Sequence, residues 1–166
     1  DHCGLGTYVD KALAAVPVML EKIESTAQDW ASTGNKDAAQ AILDNRGSII
    51  SRAITHGGLE TYVAKALGAL PTMFEKIESD TNELADKGDE RSAQAIRDNR
   101  GSIINYALAN AGLKKSVDKA LAAVPKMLRK LDCGANDLER NGDKSSAEAI
   151  RTNCGSIINY ALLKGR

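Results

Sequence analysis

Five side chains in this 166-residue chain have the chemistry of a nucleophile, a general base or a soft metal ligand: His2, Cys3, His56, Cys133 and Cys154. They do not assemble into a recognisable catalytic set. No two cysteines have the spacing of a zinc site, and two histidines are too few for a metal cluster. His2 and Cys3 are adjacent, with no evident third group to orient the base. His56 lies in the polar turn THGG. No glycine-rich phosphate loop follows a strand, because no segment shows strand alternation. The carboxylates are distributed as solvated helix faces. The sequence therefore points away from an enzyme and leaves the thiols to be explained.

Cys133 and Cys154 stand where related stretches of the same chain have other residues. KLDCGANDLERNGDKSSAEAIRTNCGSII (130–158) repeats KIESDTNELADKGDERSAQAIRDNRGSII (76–104), with Cys133 for Ser79 and Cys154 for Arg100. A third version begins at Leu5. Leu5, Leu59 and Leu113 open the copies, each 54 residues after the last. The chain thus reads as one domain of three repeats, 5–58, 59–112 and 113–166. A repeat of this length suggests one helical hairpin stacked or bundled with its neighbours.

The first half of each copy has a helical period. Val9, Leu13, Val16, Leu20, Ile23, Ala27 and Trp30 form an apolar stripe, matched by Val63 to Leu84 and by Val117 to Leu138. Pro17, Pro71 and Pro125 fall inside these helices, where each removes a hydrogen bond and predicts a bend or a restart. Gly34, Gly88 and Gly142 sit where the stripe stops, as helix-ending glycines do. A second helix follows from near Asp37, Ser92 and Ser145, interrupted at Gly47, Gly101 and Gly155. Either close backbone approach or a local break capped by Ser48, Ser102 or Ser156 fits those glycines. Asn45, Asn99 and Asn153 lie on this second stripe, and the reading makes them structural, bonding a neighbouring helix or fixing register. The expected fold is all-α: a six-helix bundle of three repeated hairpins with pseudo-threefold symmetry. A closed bundle is preferred to a solenoid because the terminal stripes are as apolar as the middle one.

Composition narrows the function. Lys+Arg and Asp+Glu both number 22, and aromatics are 4%. Nucleic-acid binders usually show a clustered basic excess, and single-strand binders use aromatic platforms. No apolar run is long enough to cross a bilayer. A start at Asp1 rather than Met reads as processing or trimming.

The thiols can be placed on these helices. Cys133 follows stripe residue Leu131 by two positions, roughly 200° round the helix, so it should look outward. Cys154 borders the second stripe at a position where arginine is accommodated elsewhere. Cys3 precedes the first stripe in DHCGLG. Three readings stay open: a Cys133–Cys154 disulfide, for which the outward direction of Cys133 is unfavourable; inert free thiols; and covalent attachment of a linear tetrapyrrole. In the last, cysteine sulfur adds to a vinyl-derived side chain of a terminal pyrrole. Arg129, Lys130 and Arg151 would pair with propionates, and Asp132 or Asp137 would accept from pyrrole N–H groups.

An Ala-rich all-helical chain, internal repetition, and isolated cysteines in KLDCGAND, IRTNCGSI and DHCGLGTY together resemble the gamma subunits of red-algal phycoerythrin. The resemblance spans Leu5 to Arg166 plus Cys3. It implies a non-catalytic light-harvesting linker carrying bilin (phycourobilin or phycoerythrobilin) on Cys3, Cys133 and Cys154. Its partners would be phycoerythrin alpha and beta subunits in a threefold ring, within the phycobilisome of the plastid stroma. Such linkers are often basic, whereas this chain is neutral, as removal of basic terminal extensions would leave it. Two other classes fit the same sequence: a helical scaffold or protein-interaction module without chromophore, and a carrier of a hydrophobic ligand.

Overall fold

The structure, a computed structural model, describes residues 3–56, 58–110 and 113–165, with side chains from Gly6 onward. Every element among them is helical, as the periodicity requires. The described residues form nine helices: α1 (Cys3–Ser32), α2 (Lys36–Asp44), α3 (Arg46–Thr55), α4 (Leu59–Asp86), α5 (Glu90–Asp98), α6 (Arg100–Ala109), α7 (Lys114–Arg140), α8 (Lys144–Thr152) and α9 (Cys154–Lys164). The repeat is thus one long helix followed by two short ones, and nine helices replace the expected six.

The extra break has a side-chain cause. Asn45, Asn99 and Asn153 end α2, α5 and α8 and also precede α3, α6 and α9. Each turns its own amide Nδ2–H back to the carbonyl four residues earlier: Ala41 at 2.9 Å, Ala95 at 2.9 Å and Ala149 at 2.8 Å. An asparagine bonding its local backbone competes with helix continuation. These residues are structural, but they serve their own helix rather than a neighbour's backbone. The break falls two residues before Gly47, Gly101 and Gly155, and none of the three serines caps it.

The long helices run unbroken through Pro17, Pro71 and Pro125, so no restart occurs there. They end at Gly34, Gly88 and Gly142, with φ of +93°, +82° and +89°. Only glycine takes that left-handed backbone without strain. Around each, two N–H groups cap the last turn. In the second copy Gly88 donates to Ala85 at 2.9 Å and Asp89 to Leu84 at 2.9 Å. The first and third copies repeat the pattern. This is the Schellman geometry, which satisfies carbonyls the helix leaves over.

The chain divides into two compact units, Asp1–Phe74 and Glu75–Arg166, with the boundary inside α4 rather than between repeats. In the first unit, α2 and α3 pack on α1. Its core includes Met19, Ile23, Ala27, Ile42 and Ile49. The upper part of the expected stripe on α1 is not core: Val9 and Leu13 are exposed, and Val16 and Leu20 are half-buried. In the second unit, α7 packs on α5, α6, α8 and α9. Val117, Leu121, Val124 and Leu128 are all buried there.

Candidate functional site

Of the residues singled out for chemistry, those on α7, α8 and the start of α9 lie in the second unit; His2, Cys3 and His56 do not. Cys3 is the first residue of α1, and its side chain lies outside the described residues, as does all of His2. His56 is exposed. Its Nδ1 is 3.1 Å from the Arg52 carbonyl, and its ring stacks on Tyr62 with centroids 6.2 Å apart. The Thr55 hydroxyl is 3.2 Å from the same Nδ1 and also donates to the Ser51 carbonyl at 2.9 Å, so the ring is held at a helix end by local bonds. Among the described residues no three His, Cys, Asp or Glu side chains converge as a metal site. No described helix is long and apolar enough to cross a membrane.

Cys133 and Cys154 are both free thiols; Cys133 is exposed and Cys154 half-buried. Cys133 looks outward, two residues past half-buried Leu131 and two before buried Ala135. Cys154 opens α9, directly after the Asn153 break. No bond joins the two sulfurs, and the disulfide reading is not realised.

The charged residues expected to hold a chromophore have other occupations. Asp132 accepts from Arg91 Nη2 at 2.5 Å, tying α7 to α5. Asp137 pairs along its own helix with Arg140 at 3.4 Å. Arg151 reaches from α8 to α7, donating to Glu139 at 2.6 Å and to Asn136 Oδ1 at 2.9 Å. The Arg151 bond holds the Glu139 carboxyl below its usual range, and the same bond raises Arg151. Arg129 and Lys130 are exposed on the outer side of α7. Five expected contact residues therefore divide into two that brace helix against helix, one paired along α7, and two that face solvent.

Sequence reasoning missed Arg91 and Glu139. The signal was available in the repeat itself. Glu139 replaces Ala31 and Ala85 of the other copies, and Arg151 replaces Leu43. Arg97 holds the position of Arg151 in the second copy but pairs with Glu90, so the charge peculiar to the third hairpin is Glu139, which draws the arginine across to α7. In the first copy the corresponding cleft between α1 and α2 is an open groove lined by Ala27, Ala31, Ala39 and Leu43, with Glu24, Gln28, Lys36 and Gln40 around it. A second groove, lined by Leu84, Ile96, Leu121, Ala122 and Pro125, carries the charges of Lys76, Asp80, Glu83, Lys87 and Asp118. Neither is the sealed, mainly apolar cavity that a buried hydrophobic ligand needs.

Caps also differ between copies. Asp89 and Asp143 accept from the backbone N–H of Ser92 at 3.1 Å and Ser146 at 3.0 Å. Bonding to Ser92 holds Asp89 below its usual range, and bonding to Ser146 does the same for Asp143. Asn35, their equivalent, makes no side-chain cap bond.

The large apolar side chains left exposed are Tyr8, Val9, Leu13 and Val18 on α1, Ile54 on α3, and Ile157, Tyr160 and Leu163 on α9 among the described residues. Compared with protein-family models, with curated proteins and with solved structures, the chain finds no match.

Proposed function

We propose that this chain is a non-catalytic helical-repeat interaction module, whose working parts are exposed helix faces rather than a pocket. The observation that carries this reading is the open apolar surface on α1 and α9. Scattered single hydrophobics are ordinary on protein surfaces, but aromatic and aliphatic residues grouped on one helix face mark a surface that binds another protein. The proposal keeps the three equivalent hairpins of the sequence and does not rest on their closing into a pseudo-threefold bundle. The test is footprinting of tyrosine side chains. Tyr8 and Tyr160 should be shielded in the protein as isolated from its source and reactive in the dilute purified chain. Equal reactivity in both states would defeat the proposal.

A second reading has one observation of its own. Cys133 is a free, exposed thiol on a rigid helix with Arg129 and Lys130 exposed beside it, as attachment of a bilin requires. In that reading the chain is a light-harvesting linker in a phycobiliprotein ring of the plastid, and the interaction faces meet ring subunits. It requires visible absorbance that survives denaturation, and tetrapyrrole mass on peptides containing Cys133 or Cys154. Unmodified cysteines in protein from the native source would end it.

A further inference from the structure

The second and third copies meet at a junction that describes what the open faces on α1 and α9 are shaped to receive. There α7 and α9 both pack on α6, and α7 also packs on α5. Val117 and Leu121 on α7 are 1% and 4% exposed, and Ile103 on α6 is 0%. Two polar contacts fix the register: Ser102 Oγ donates to Asn159 Oδ1 at 2.7 Å, and Arg91 pairs with Asp132 at 2.5 Å. The repeat carries both halves of this junction to the ends of the chain. Ile157 and Tyr160 on α9 are the equivalents of Ile103 and Tyr106, and they are 36% and 62% exposed. Val9 and Leu13 on α1 are the equivalents of Val117 and Leu121, and they are 56% and 68% exposed. One surface is the receiving half of the junction without its partner; the other is the entering half.

We propose that a second copy of this chain docks head to tail, α1 of one molecule on α9 of the other, reproducing the junction of α6 with α7. The inference rests on the interaction-module reading and names its partner. Complementarity beyond apolar area commits it to a second copy. Lys130 and Asp10 take the places of Lys76 and Asp118, whose opposite charges already attract within the chain. Ser156 and Ser51 take the places of Ser102 and Asn159, two exposed hydroxyls able to share one bond. Ser145 and Glu24 take the places of Arg91 and Asp132, a hydrogen bond for an ion pair. Two positions oppose docking: Asp143 and Glu21 stand where Asp89 and Arg129 attract, and Tyr8 stands where the smaller Ser116 is buried on α7. The contact is therefore weaker than the internal junction and reversible. Because the two surfaces differ, each added copy leaves one of each open, and assembly continues past a dimer.

Sedimentation of the full chain across micromolar to millimolar concentration tests this. The wild-type mass should rise with concentration beyond two chains. Leu13→Glu and Tyr160→Glu change exposed positions; each alone should keep its helical content and stay monomeric. Mixed in equal amounts, they have one intact face each and should stop at a dimer. Glu21→Arg restores the charge found at Arg129 and should tighten association up to about fivefold, the upper range for an exposed pair. A wild-type chain monomeric throughout, a single variant that assembles by itself, or a Glu21→Arg chain no tighter than wild type would overturn the proposal. Absence of self-association with Tyr8 and Tyr160 still shielded in native material would overturn the second copy as partner while leaving the interaction module standing. Absence of both would overturn both.

Discussion

The first and third hairpins are built from nearly the same sequence and are held together differently. In the third, α7 buries Val117, Leu121, Val124 and Leu128, Arg151 clasps α8 to α7 through Glu139, and Asp143 caps α8. In the first, α1 leaves Val9 and Leu13 in solvent, alanines line an open groove where the clasp would be, and Asn35 makes no cap bond. The stripe is the same in both copies. What differs is whether another repeat supplies α6 for the helix to lie against. An apolar stripe thus records a capacity for burial, and a neighbour decides whether the capacity is used.

The comparison can be broken most directly at Leu13 and Leu121, which share one repeat position. Leu121→Ala removes buried methyl groups and should cost about 2–5 kcal/mol. Leu13→Ala, in the dilute chain, should change stability by less than about 0.5 kcal/mol, as surface substitutions do. Denaturant unfolding of both variants below the concentration of any association measures the contrast. Equal losses would mean that α1 is packed as α7 is.

A smaller contrast lies at the asparagines. Asn99 is buried and Asn153 exposed, yet both donate to the carbonyl four residues back. Asn99→Ala should cost about 1 kcal/mol, the usual net worth of such a bond. Asn153→Ala should cost less, because water can replace the lost donor. Thermal melts of the pair decide it, and an effect at position 153 as large as at position 99 would assign the break a role beyond its local bond.

Most of the helical architecture was legible because its signals are local. The helical period and the Gly34, Gly88 and Gly142 stops act within a turn or two, whereas the prolines, read as a bend or restart, interrupt none of the long helices. The split of each second helix was not legible: an asparagine on an apolar stripe looks the same whether it bonds its own helix or a neighbour. The exposure of Val9 and Leu13 was not legible either, since nothing in α1 itself records the missing partner. At the thiols, the outward direction of Cys133 followed from helix rotation alone. The pairings of Asp132 and Arg151 did not, because they depend on Arg91 and Glu139 from other turns and helices.

Acid sharpens the comparison of caps. Asp89 and Asp143 have carboxyls held below their ordinary range by bonds to Ser92 and Ser146, and Glu139 is held low by Arg151. A carboxyl lowered in the folded state contributes stability above its unfolded value and loses it as pH falls through the folded one. The unfolded values lie near about 4. From about that pH downward, α5 and α8 should therefore lose amide protection, while α2, which lacks both cap and clasp, shows no matching step. Protection factors from hydrogen exchange at pH steps across this range measure it. A parallel loss in all three helices would mean that general charge repulsion, rather than these bonds, governs the acid response.

The smallest expected effects on stability are at the thiols, and they separate chemistry from packing. Cys133 is exposed and bonded to no other sulfur, so Cys133→Ser should shift stability by less than about 0.5 kcal/mol. Cys154 is half-buried at the place where Arg46 lies 3.9 Å from Glu24 in the first copy. The third copy has Asp132 at the position of Glu24, already engaged by Arg91. Cys154→Arg should thus be accommodated, with the new guanidinium competing for Asp132 and weakening the bond between α5 and α7. The double change Cys154→Arg with Arg91→Ala relieves that competition and should melt no lower than Arg91→Ala alone. Thiol reactivity provides the independent readout: in the folded chain Cys133 should react with a disulfide reagent faster than Cys154, and the two rates should converge in denaturant. If either substitution lowered the melting temperature as much as Leu121→Ala, the thiols would be packing residues. The chemical readings of them would then lose their ground.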